Sequence, residues 1–396
     1  MLNSRLKVLI VTSWYPNEIN PLEGIFIQEF AHLLSKEYDV AVIAINLFNL
    51  KGLLQNKNIF KLKLKTKKQR INKNLFLIQK SLLLFIYRIL SLTYGTYLRV
   101  LQYEFNQLLI HWGKPVLIHA HVAIPSGWGA LQIAKKYNIP IILTEHLGPF
   151  SEHLTNPYES RLVKNTLSHV NQILAVSPSL ANQIKQSVDQ SLNINSIGNL
   201  IRSDFFFPKE KANIQNKIVF LSVCLLTKGK GLNYLLESIK CLSFKYSQKF
   251  IVLIGGDGVE RFNLEKQVKS LNIQNNCQFL GYLSREQVRD YMQNCDVFIL
   301  PSLGETFGIV LGEAMACGKP VISTYCGGSE FIVTDDTGIL VAPSDSVALA
   351  EAMEKFITKK VGFNADVIRE SIINRFGEKA FLQKISEIYQ LVISRY

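Results

Sequence analysis

Short apolar segments of strand length alternate with amphipathic helical patterns along almost the whole chain. In the first half, the segments that read as buried strands span residues 6–12, 40–45, 115–120, 141–143 and 173–177. In the second half KIVFLSV, FIVLIG, CQFLG, DVFILP and PVIST repeat the scheme. Strands that are apolar throughout and separated by helices are typical of parallel sheets with helices on both faces. The pattern therefore predicts an α/β architecture of doubly wound, Rossmann-like sheets.

The length of the chain divides this pattern into two domains. A chain of 396 residues with 48% hydrophobic composition is longer than one ordinary domain of about 100–200 residues. The periodicity lapses over residues 199–217, so we expect a linker there. We expect an N-terminal domain over 1–205, a C-terminal domain over 206–375 and a final helix over 376–396 that returns to the N-terminal domain. Doubly wound sheets bind ligands outside the carboxyl ends of their strands, which predicts a site in a central cleft that the two domains face.

The positive charge is concentrated in residues 51–103. The formal net charge is +13, and this segment holds twelve basic residues without one Asp or Glu. Its stretch LFLIQKSLLLFIYRILSLTYGTYL has apolar windows of only seven and ten residues between charges, too short for a spanning helix of about 18 residues. The combination suits a helix that lies on an anionic membrane surface; the alternative is a solvated loop followed by an ordinary buried helix. Nucleic acid attracts any basic patch, but no recognition motif accompanies this one, and we expect no nucleic-acid partner.

The cysteines and the N-terminus indicate a cytoplasmic protein. All six cysteines lie in the second half, with no C-x-x-C pair, which is typical of reduced thiols and not of a disulfide framework or a zinc site. The N-terminal residues run from a basic patch into a short strand-like segment, without the apolar core and cleavage site of a signal peptide. We therefore expect a cytoplasmic protein that is peripheral on the inner face of the cell membrane.

Two glutamates, Glu305 and Glu313, lie eight residues apart in GETFGIVLGEAMACGKPVI. Between the predicted strands DVFILP and PVIST the chain must form a loop and a helix, which should begin near residues 307–309 and end with Gly318 as a C-cap. A helix N-terminus presents backbone N–H groups that bind phosphate. Carboxylates beside it would repel a phosphate, so they are better suited to accept hydrogen bonds from hydroxyls that flank a diphosphate. A nucleotide sugar has this arrangement of sugar, diphosphate and ribose.

The segment around these glutamates resembles the E-x7-E signature of glycosyltransferase family 4 (glycosyl transferases group 1), whose members are retaining, nucleotide-sugar-dependent enzymes of the GT-B fold. GGDG, FLGYLS, VFILPS, GGSEFI and TGILV follow the order and spacing of that family. In the N-terminal half SWYPNEINPLEGIFIQEFAHLL, HAHVAIPSGWGAL and AVSPSLANQI are also similar. Residues 46–110 show no such likeness, which fits a region devoted to the acceptor.

The resemblance implies roles for the charged residues of the C-terminal half. Glu305 corresponds to the glutamate that contacts the donor sugar and takes part in catalysis, and Glu313 to the one that holds the ribose hydroxyls. Lys230, in TKGKG, corresponds to the lysine whose charge neutralises the leaving diphosphate, a role that strengthens in a dry cleft. The chain departs from the family at Leu225, where an arginine is common. Lys228 could supply the missing charge.

The same resemblance implies further donor contacts. His121 matches the N-domain histidine that approaches the donor sugar, and we place it with the catalytic residues. Gly24 matches the glycine whose backbone approaches the diphosphate, where a side chain would block it. The remaining expected donor-binding residues are Gly256 in the GGDG turn, the base-clamping Tyr282 and Leu283, and the backbone N–H groups of Phe307, Gly308 and Ile309.

A metal ion or a bound cofactor is not expected. His119 and His121 have a spacing that would suit a metal, but no acidic cluster and no D-x-D motif accompany them. The glycines of GGDG do not form G-x-G-x-x-G, which argues against a nicotinamide site. His119 is expected in the core at a strand end, and His146 either lines the acceptor side or is structural.

These residues together predict a glycosyltransferase of the hexosyltransferase type. We expect it to move a sugar from a nucleoside diphosphate sugar, with UDP the commonest nucleotide, to a lipid-linked or polysaccharide acceptor in surface glycan biosynthesis. Two alternatives stay open: a nucleotide-sugar epimerase of the same fold, and a non-catalytic membrane-associated partner protein that keeps the fold without binding a donor.

Overall fold

The computed structural model describes residues 5–49, 66–84, 90–210 and 217–396. The chain divides into two compact units, one of Met1–Leu200 with Leu382–Tyr396 and one of Ile201–Phe381. Each unit contains a largely or wholly parallel sheet with helices between its strands, so the predicted pair of Rossmann-like α/β domains is confirmed. The membrane-surface prediction concerned the twelve basic residues of 51–103. Six of them lie outside the described residues: Lys51, Lys57, Lys61, Lys63, Lys65 and Arg88.

The first unit is built on one eight-stranded sheet among the described residues, with the order β3-β4-β2-β1-β5-β6-β7-β8. Every neighbouring pair is parallel except β3 and β4. The strands are β1 (Lys7–Thr12), β2 (Asp39–Asn49), β3 (Lys67–Asn72), β4 (Leu75–Leu84), β5 (Leu117–His121), β6 (Ile141–Glu145), β7 (Gln172–Ala175) and β8 (Ile194–Ser196). The helices are α1 (Ile25–Leu34), α2 (Leu90–His111), α3 (Trp128–Tyr137), α4 (Pro157–His169) and α5 (Pro178–Ser187), with a π turn at Ala123–Gly127 and a 3-10 turn at Phe150–Leu154.

The second unit contains a six-stranded parallel sheet with the order β11-β10-β9-β12-β13-β14. Its strands are β9 (Ile218–Val223), β10 (Phe250–Gly255), β11 (Cys277–Gly281), β12 (Val297–Leu300), β13 (Val321–Thr324) and β14 (Gly338–Val341). Its helices are α6 (Leu232–Tyr246), α7 (Arg261–Ser270), α8 (Arg285–Asn294), α9 (Ile309–Ala316), α10 (Ser329–Ile332), α11 (Ser346–Ile357) and α12 (Ala365–Phe376), with a 3-10 turn at Lys228–Lys230. The last helix, α13 (Glu378–Arg395), belongs to this unit up to Phe381 and to the first unit from Leu382 onward.

The prediction of a membrane-surface helix is wrong for Leu75–Leu84, which is strand β4. Its ten residues pair in parallel with β2, and it also pairs with β3 in antiparallel register. Leu75, Leu77 and Ile78 are buried, so this apolar segment is part of the sheet. The basic residues of β3 are mostly exposed on the edge strand, where charge is a common protection against unwanted strand pairing.

Among the described residues, none of the helices is long and apolar enough to cross a bilayer.

The strand order of each sheet reverses at one point, which fixes where a ligand site is expected. In the first unit the order changes direction between β1 and β5, and in the second between β9 and β12. Loops that follow the carboxyl ends of the strands at such a switch point form the ligand site of doubly wound sheets. Gly24 lies in the loop after β1, and His121 is the last residue of β5. The loops after β9 and β12 carry Lys230 and Glu305.

Candidate active site

The two loops at the switch point of the second unit meet backbone to backbone. The amide of Leu303 donates to the carbonyl oxygen of Gly229 over 2.8 Å. Gly231 has a left-handed φ of 63°, and a Cβ there would lie 2.0 Å from the carbonyl oxygen of Pro301. Only glycine fits this approach, so the K-G pair of the sequence brings Lys230 against the loop that carries Glu305.

Lys230 and Glu305 form a direct ion pair. The Lys230 Nζ lies 2.6 Å from Glu305 Oε1, and the hydroxyl of Ser302 donates to the same oxygen over 2.7 Å. The Glu305 amide donates to the carbonyl of Cys326 over 3.1 Å, and the Gly328 amide donates to the Glu305 carbonyl over 2.8 Å. The side chains are 27% and 11% exposed, so this half-buried pair sits on a fixed backbone.

Helix α9 begins where the sequence predicts. Gly308 is its N-cap with a left-handed φ of 85°, the helix runs over Ile309–Ala316, and Gly318 follows its end in the left-handed region. The first N–H groups of an α-helix have no partner within the helix. Phe307 is buried, with its ring 5.1 Å from that of Phe376. This aromatic contact anchors the helix N-terminus beside Glu305.

Glu313 lies inside the second unit with its own cation. Its side chain is 3% exposed, and Arg285 donates to its Oε1. The guanidinium of Arg285 also lies over the ring of Phe206, 4.9 Å from the centroid. Each glutamate of the E-x7-E signature is therefore paired with one basic side chain.

The other predicted donor residues of this unit have unequal exposure. Tyr282 is 58% exposed and Leu283 is buried. Gly256 has a φ of 122°, and a Cβ there would lie 1.9 Å from the carbonyl oxygen of Cys224. The backbone of this turn therefore requires a glycine at position 256. Leu225 is 64% exposed. Lys228 is exposed, and among the described contacts the cation on Glu305 is Lys230.

A stack of three histidines lies at the switch point of the first unit. His121 Nδ1 is 2.9 Å from His146 Nε2, and the rings of His119 and His121 stack with centroids 4.6 Å apart. His119 contacts the Tyr389 hydroxyl and the Thr144 hydroxyl, both over 2.7 Å. Burial lowers the pKa of His119 and of His146 to about 3 and the pKa of His121 well below its usual range. The stack is therefore uncharged near neutral pH, and the half-buried His146 is a direct neighbour of His121.

Glu145 holds the chain that follows β5 and β6. Its carboxylate accepts hydrogen bonds from the amides of Ala123, His146 and Leu147 over 2.8–2.9 Å. Burial raises the pKa of this carboxyl. Val122, next to His121, has a φ of 71°, an uncommon value for a β-branched residue. Strain of this kind clusters at functional sites, and Glu145 fixes it here.

The glycine loop after β1 is held by its own unit. Gly24 caps α1 with a φ of 64°, and an added Cβ would lie 2.4 Å from the carbonyl oxygen of Trp14. The side chain of Asn46 donates to the Tyr15 carbonyl over 2.9 Å, and Gln79 donates to the Asn46 side-chain oxygen over 3.1 Å. Strand β4, which the sequence did not predict, thus supports this loop.

Two site neighbours were missed or left open by the sequence. Arg285 was missed; the signal for it was a basic residue in the first turn of a helix, where the helix dipole disfavours a cation. His146 was left open between two roles, because spacing along the chain does not show that it reaches His121. Among the residues that the structure describes, no group of three or more His, Cys, Asp or Glu side chains is placed to hold a metal ion.

Comparison with known proteins adds independent observations. The family model described as Glycosyl transferases group 1 matches residues 204–374, and that of Glycosyltransferase Family 4 matches residues 26–199. TuaC of Bacillus subtilis, a glycosyltransferase whose name assigns it to teichuronic acid biosynthesis, is 26% identical over 98% of this chain and 99% of that protein. A glycosyltransferase of Methanocaldococcus jannaschii, named as uncharacterized, is 29% identical over 62% of this chain and 66% of that protein. The N-acetyl-alpha-D-glucosaminyl L-malate synthase of Bacillus anthracis is 26% identical over 70% of this chain and 75% of that protein.

Solved glycosyltransferases share the fold across the chain. Sucrose-phosphate synthase from Thermosynechococcus elongatus superposes with a TM-score of 0.80 at 19% identity, covering 99% of this chain and 100% of that one. The Anabaena protein HepE in complex with UDP and glucose superposes with a TM-score of 0.71 at 18% identity, covering 98% and 99%. The two family models together span most of the sequence. The predicted family, fold and enzyme class are therefore confirmed: the chain belongs to glycosyltransferase family 4 and is a glycosyltransferase of the GT-B fold.

Proposed function

We propose that this glycosyltransferase moves a sugar from a uridine diphosphate sugar, with retention of the anomeric configuration, to a lipid-linked or polysaccharide acceptor of a surface glycan. The observation that carries the donor assignment is the paired arrangement at α9. Glu305 with Lys230 and Glu313 with Arg285 lie at opposite ends of a short segment that contains a helix N-terminus. The solved structure of HepE, which has this fold, contains UDP and glucose, and this supports the donor. The name of TuaC assigns that protein to teichuronic acid biosynthesis, and this supports a surface glycan as the acceptor.

The residues of this chain would act mainly by positioning and by charge. The diphosphate leaves with the bonding electrons of the glycosidic carbon–oxygen bond, and Lys230 and the N–H groups at Gly308 and Ile309 stabilise that negative charge. Glu305 orients the donor sugar, and His121 matches the histidine that the family resemblance assigns to the same sugar. The acceptor hydroxyl forms the new bond on the face that the diphosphate leaves, and its proton passes to an oxygen of the departing diphosphate. No metal ion is required for these steps, because cationic and backbone groups supply the charge.

The test is turnover by the purified protein. It is incubated with UDP-sugars, with and without an extract of lipid-linked glycan, and the released UDP and the sugar products are measured. Glu305→Gln should lower turnover by at least a factor of about 100, with nucleotide affinity within about threefold. Unchanged turnover in this variant would refute its catalytic role. A donor converted to another sugar without acceptor would identify an epimerase, and failure of every nucleotide to bind would identify a non-catalytic partner.

We also propose that the protein works in the cytoplasm at an anionic membrane surface. The exposed basic residues Lys67, Lys68 and Arg70 of β3 support this proposal, since each basic residue near such a surface contributes about 1 kcal/mol. Sedimentation with vesicles of phosphatidylglycerol is the test. Replacement of these three residues by glutamine should weaken sedimentation at least tenfold, and equal sedimentation would contradict the proposal.

A further inference from the structure

Arg285 occupies a position that local helix energetics disfavour. It is the first residue of α8, directly after the N-cap Ser284, whose capping box with Gln287 is complete. A cation in the first turn opposes the helix dipole by roughly 0.3–1 kcal/mol. The cap stabilises the helix start without any contribution from the Arg285 side chain. Its reason must lie in tertiary contacts.

Those contacts join Arg285 to Glu313 and to the rings of Phe205 and Phe206. Arg285 donates to Glu313 Oε1, and the two residues are 28 positions apart in the chain. The guanidinium lies 4.9 Å from the ring centroid of Phe206 and 5.8 Å from that of Phe205. The two side chains of the pair are 20% and 3% exposed. A carboxylate that is buried to this extent needs a paired cation, and a guanidinium stacked on a ring holds that cation in one orientation.

The position of Arg285 links two proposed donor contacts. It follows the segment of Tyr282 and Leu283 at the carboxyl end of β11, which is expected to clamp the base, by two to three residues. Its side chain reaches Glu313, which is expected to hold the ribose hydroxyls. One residue thus connects the base segment to the ribose carboxylate.

We propose that Arg285 is a positioning residue for ribose recognition: it fixes the Glu313 carboxylate for the ribose hydroxyls and so sets the preference for ribonucleotides over deoxyribonucleotides. This inference rests on the proposed donor role of Glu313. A carboxylate held in one rotamer accepts both hydroxyl hydrogen bonds without a further loss of side-chain freedom. Without Arg285 the carboxylate loses this ion pair and the orientation that the pair gives it, so its hydrogen bonds to the hydroxyls should weaken.

The chain offers a matched control in Arg289, one turn further along α8. Its guanidinium lies 4.9 Å from the ring centroid of Phe205, and its Nη2 is 2.9 Å from the carboxylate of Asp290. Arg289→Met therefore removes a guanidinium from the same helix and from the same ring of Phe205, while the ion pair of Arg285 and Glu313 stays. Arg285→Met keeps most of the apolar length of the side chain but cannot pair with Glu313.

The experiment measures the dissociation constants of the nucleoside diphosphate that binds tightest among UDP, GDP and ADP, and of its 2′-deoxy and 3′-deoxy forms, by calorimetry. The wild type should prefer the ribonucleotide over at least one deoxy form by tenfold or more. Arg285→Met should weaken ribonucleotide binding about tenfold and leave the deoxy form nearly unchanged, so the ratio falls toward one, as in Glu313→Ala. Arg289→Met should keep the wild-type ratio, and Arg285→Lys should give an intermediate one.

The outcomes separate this inference from the proposed function. If Arg285→Met weakens the ribonucleotide and the deoxy form equally, or changes neither, Arg285 does not position Glu313 and the inference is overturned. If the wild type binds the ribonucleotide and its deoxy forms equally, or if Glu313→Ala still prefers the ribonucleotide, Glu313 does not hold the ribose hydroxyls. The inference is then overturned as well. If no nucleotide binds, the proposed function itself is refuted. Circular dichroism and urea unfolding confirm that each variant is folded, and Arg285→Lys supplies the answer if Arg285→Met does not fold.

Discussion

Replacement of Lys230 by methionine removes the cation that touches Glu305. The two charged atoms are 2.6 Å apart, and at an effective dielectric constant of about 20 their attraction is about 6 kcal/mol before desolvation is subtracted. Because the side chains are 27% and 11% exposed, solvent screens much of this attraction. After replacement the Glu305 carboxylate keeps the Ser302 hydroxyl, so we expect a loss of about 1–2 kcal/mol in the free energy of unfolding.

The effect on turnover should be larger than the effect on stability. If Lys230 stabilises charge that develops on the leaving diphosphate, its loss should cost about 3 kcal/mol in the transition state, a factor of about 100 in kcat. The lower end of the usual range is expected because Lys230 is 27% exposed. The assay is the initial rate of UDP release with the donor sugar that is active, measured over a range of donor concentrations so that kcat and KM separate.

Two variants control this measurement. Lys240→Met changes an exposed lysine on α6, away from the predicted site residues, and should leave kcat within about twofold. Leu225→Arg places the arginine that is common in the family at a position that is 64% exposed; in the Lys230→Met background it should restore part of kcat. If Lys230→Met keeps kcat within threefold of the wild type while the unfolding midpoint falls, Lys230 is only a structural partner of Glu305 and the reasoning is refuted.

Three further predictions concern stability and thiol access. Gly24→Ala should lower the free energy of unfolding by about 1–2 kcal/mol, because Gly24 has a φ of 64° and a Cβ would lie 2.4 Å from the Trp14 carbonyl oxygen; Gly95→Ala on α2, where a Cβ meets open space, should not. Equal effects of the two substitutions in urea unfolding would contradict this. Burial lowers the pKa of His119 from 6.5 to about 3, so between pH 3 and pH 6.5 the unfolded chain binds more protons than the folded one. The free energy of unfolding is therefore highest above pH 6.5, and it falls by about 1 kcal/mol per pH unit below it. His119→Asn should flatten that slope, and an unchanged slope would contradict the assignment. Cys241 is exposed whereas three other cysteines are buried, so it should react first with a thiol reagent, as mass spectrometry of the labelled protein would show; faster labelling of a buried cysteine would contradict the structure.

Much of the fold could be predicted because its strands are apolar on both faces. All residues of β5 and β12 are buried, as are all but the first residue of β1, and such segments are visible without a structure. Four strands, β3, β4, β8 and β14, were not predicted from the sequence. β8 has three residues of intermediate or full exposure, and β4 lies in a longer apolar stretch whose basic residues suggested a membrane-surface helix. Its parallel pairing with β2, in which Leu75 lies opposite Val40, joins segments that are distant in the chain, so the local sequence does not reveal it.

The candidate site could be predicted where a motif determines a local structure. The glutamate spacing and Gly308 specify a helix start between two strands, and α9 has that start. Side-chain partners are different, because they depend on tertiary contacts. Arg285 meets Glu313 across 28 residues, and His146 meets His121 across 25. In each pair the two residues belong to different secondary-structure elements, so the sequence alone could not reveal these pairs.

A thermal-shift screen against UDP, GDP, ADP, CMP and their sugar conjugates tests the central claim most directly. A ligand that binds only the folded state, at a hundred times its dissociation constant, adds about 2.7 kcal/mol to stability. A donor site at α9 predicts a clear rise in the melting temperature with a nucleoside diphosphate, UDP before the others, and the loss of that rise in Glu313→Ala. No rise with any nucleotide, or an equal rise in the variant, would contradict a donor site at α9.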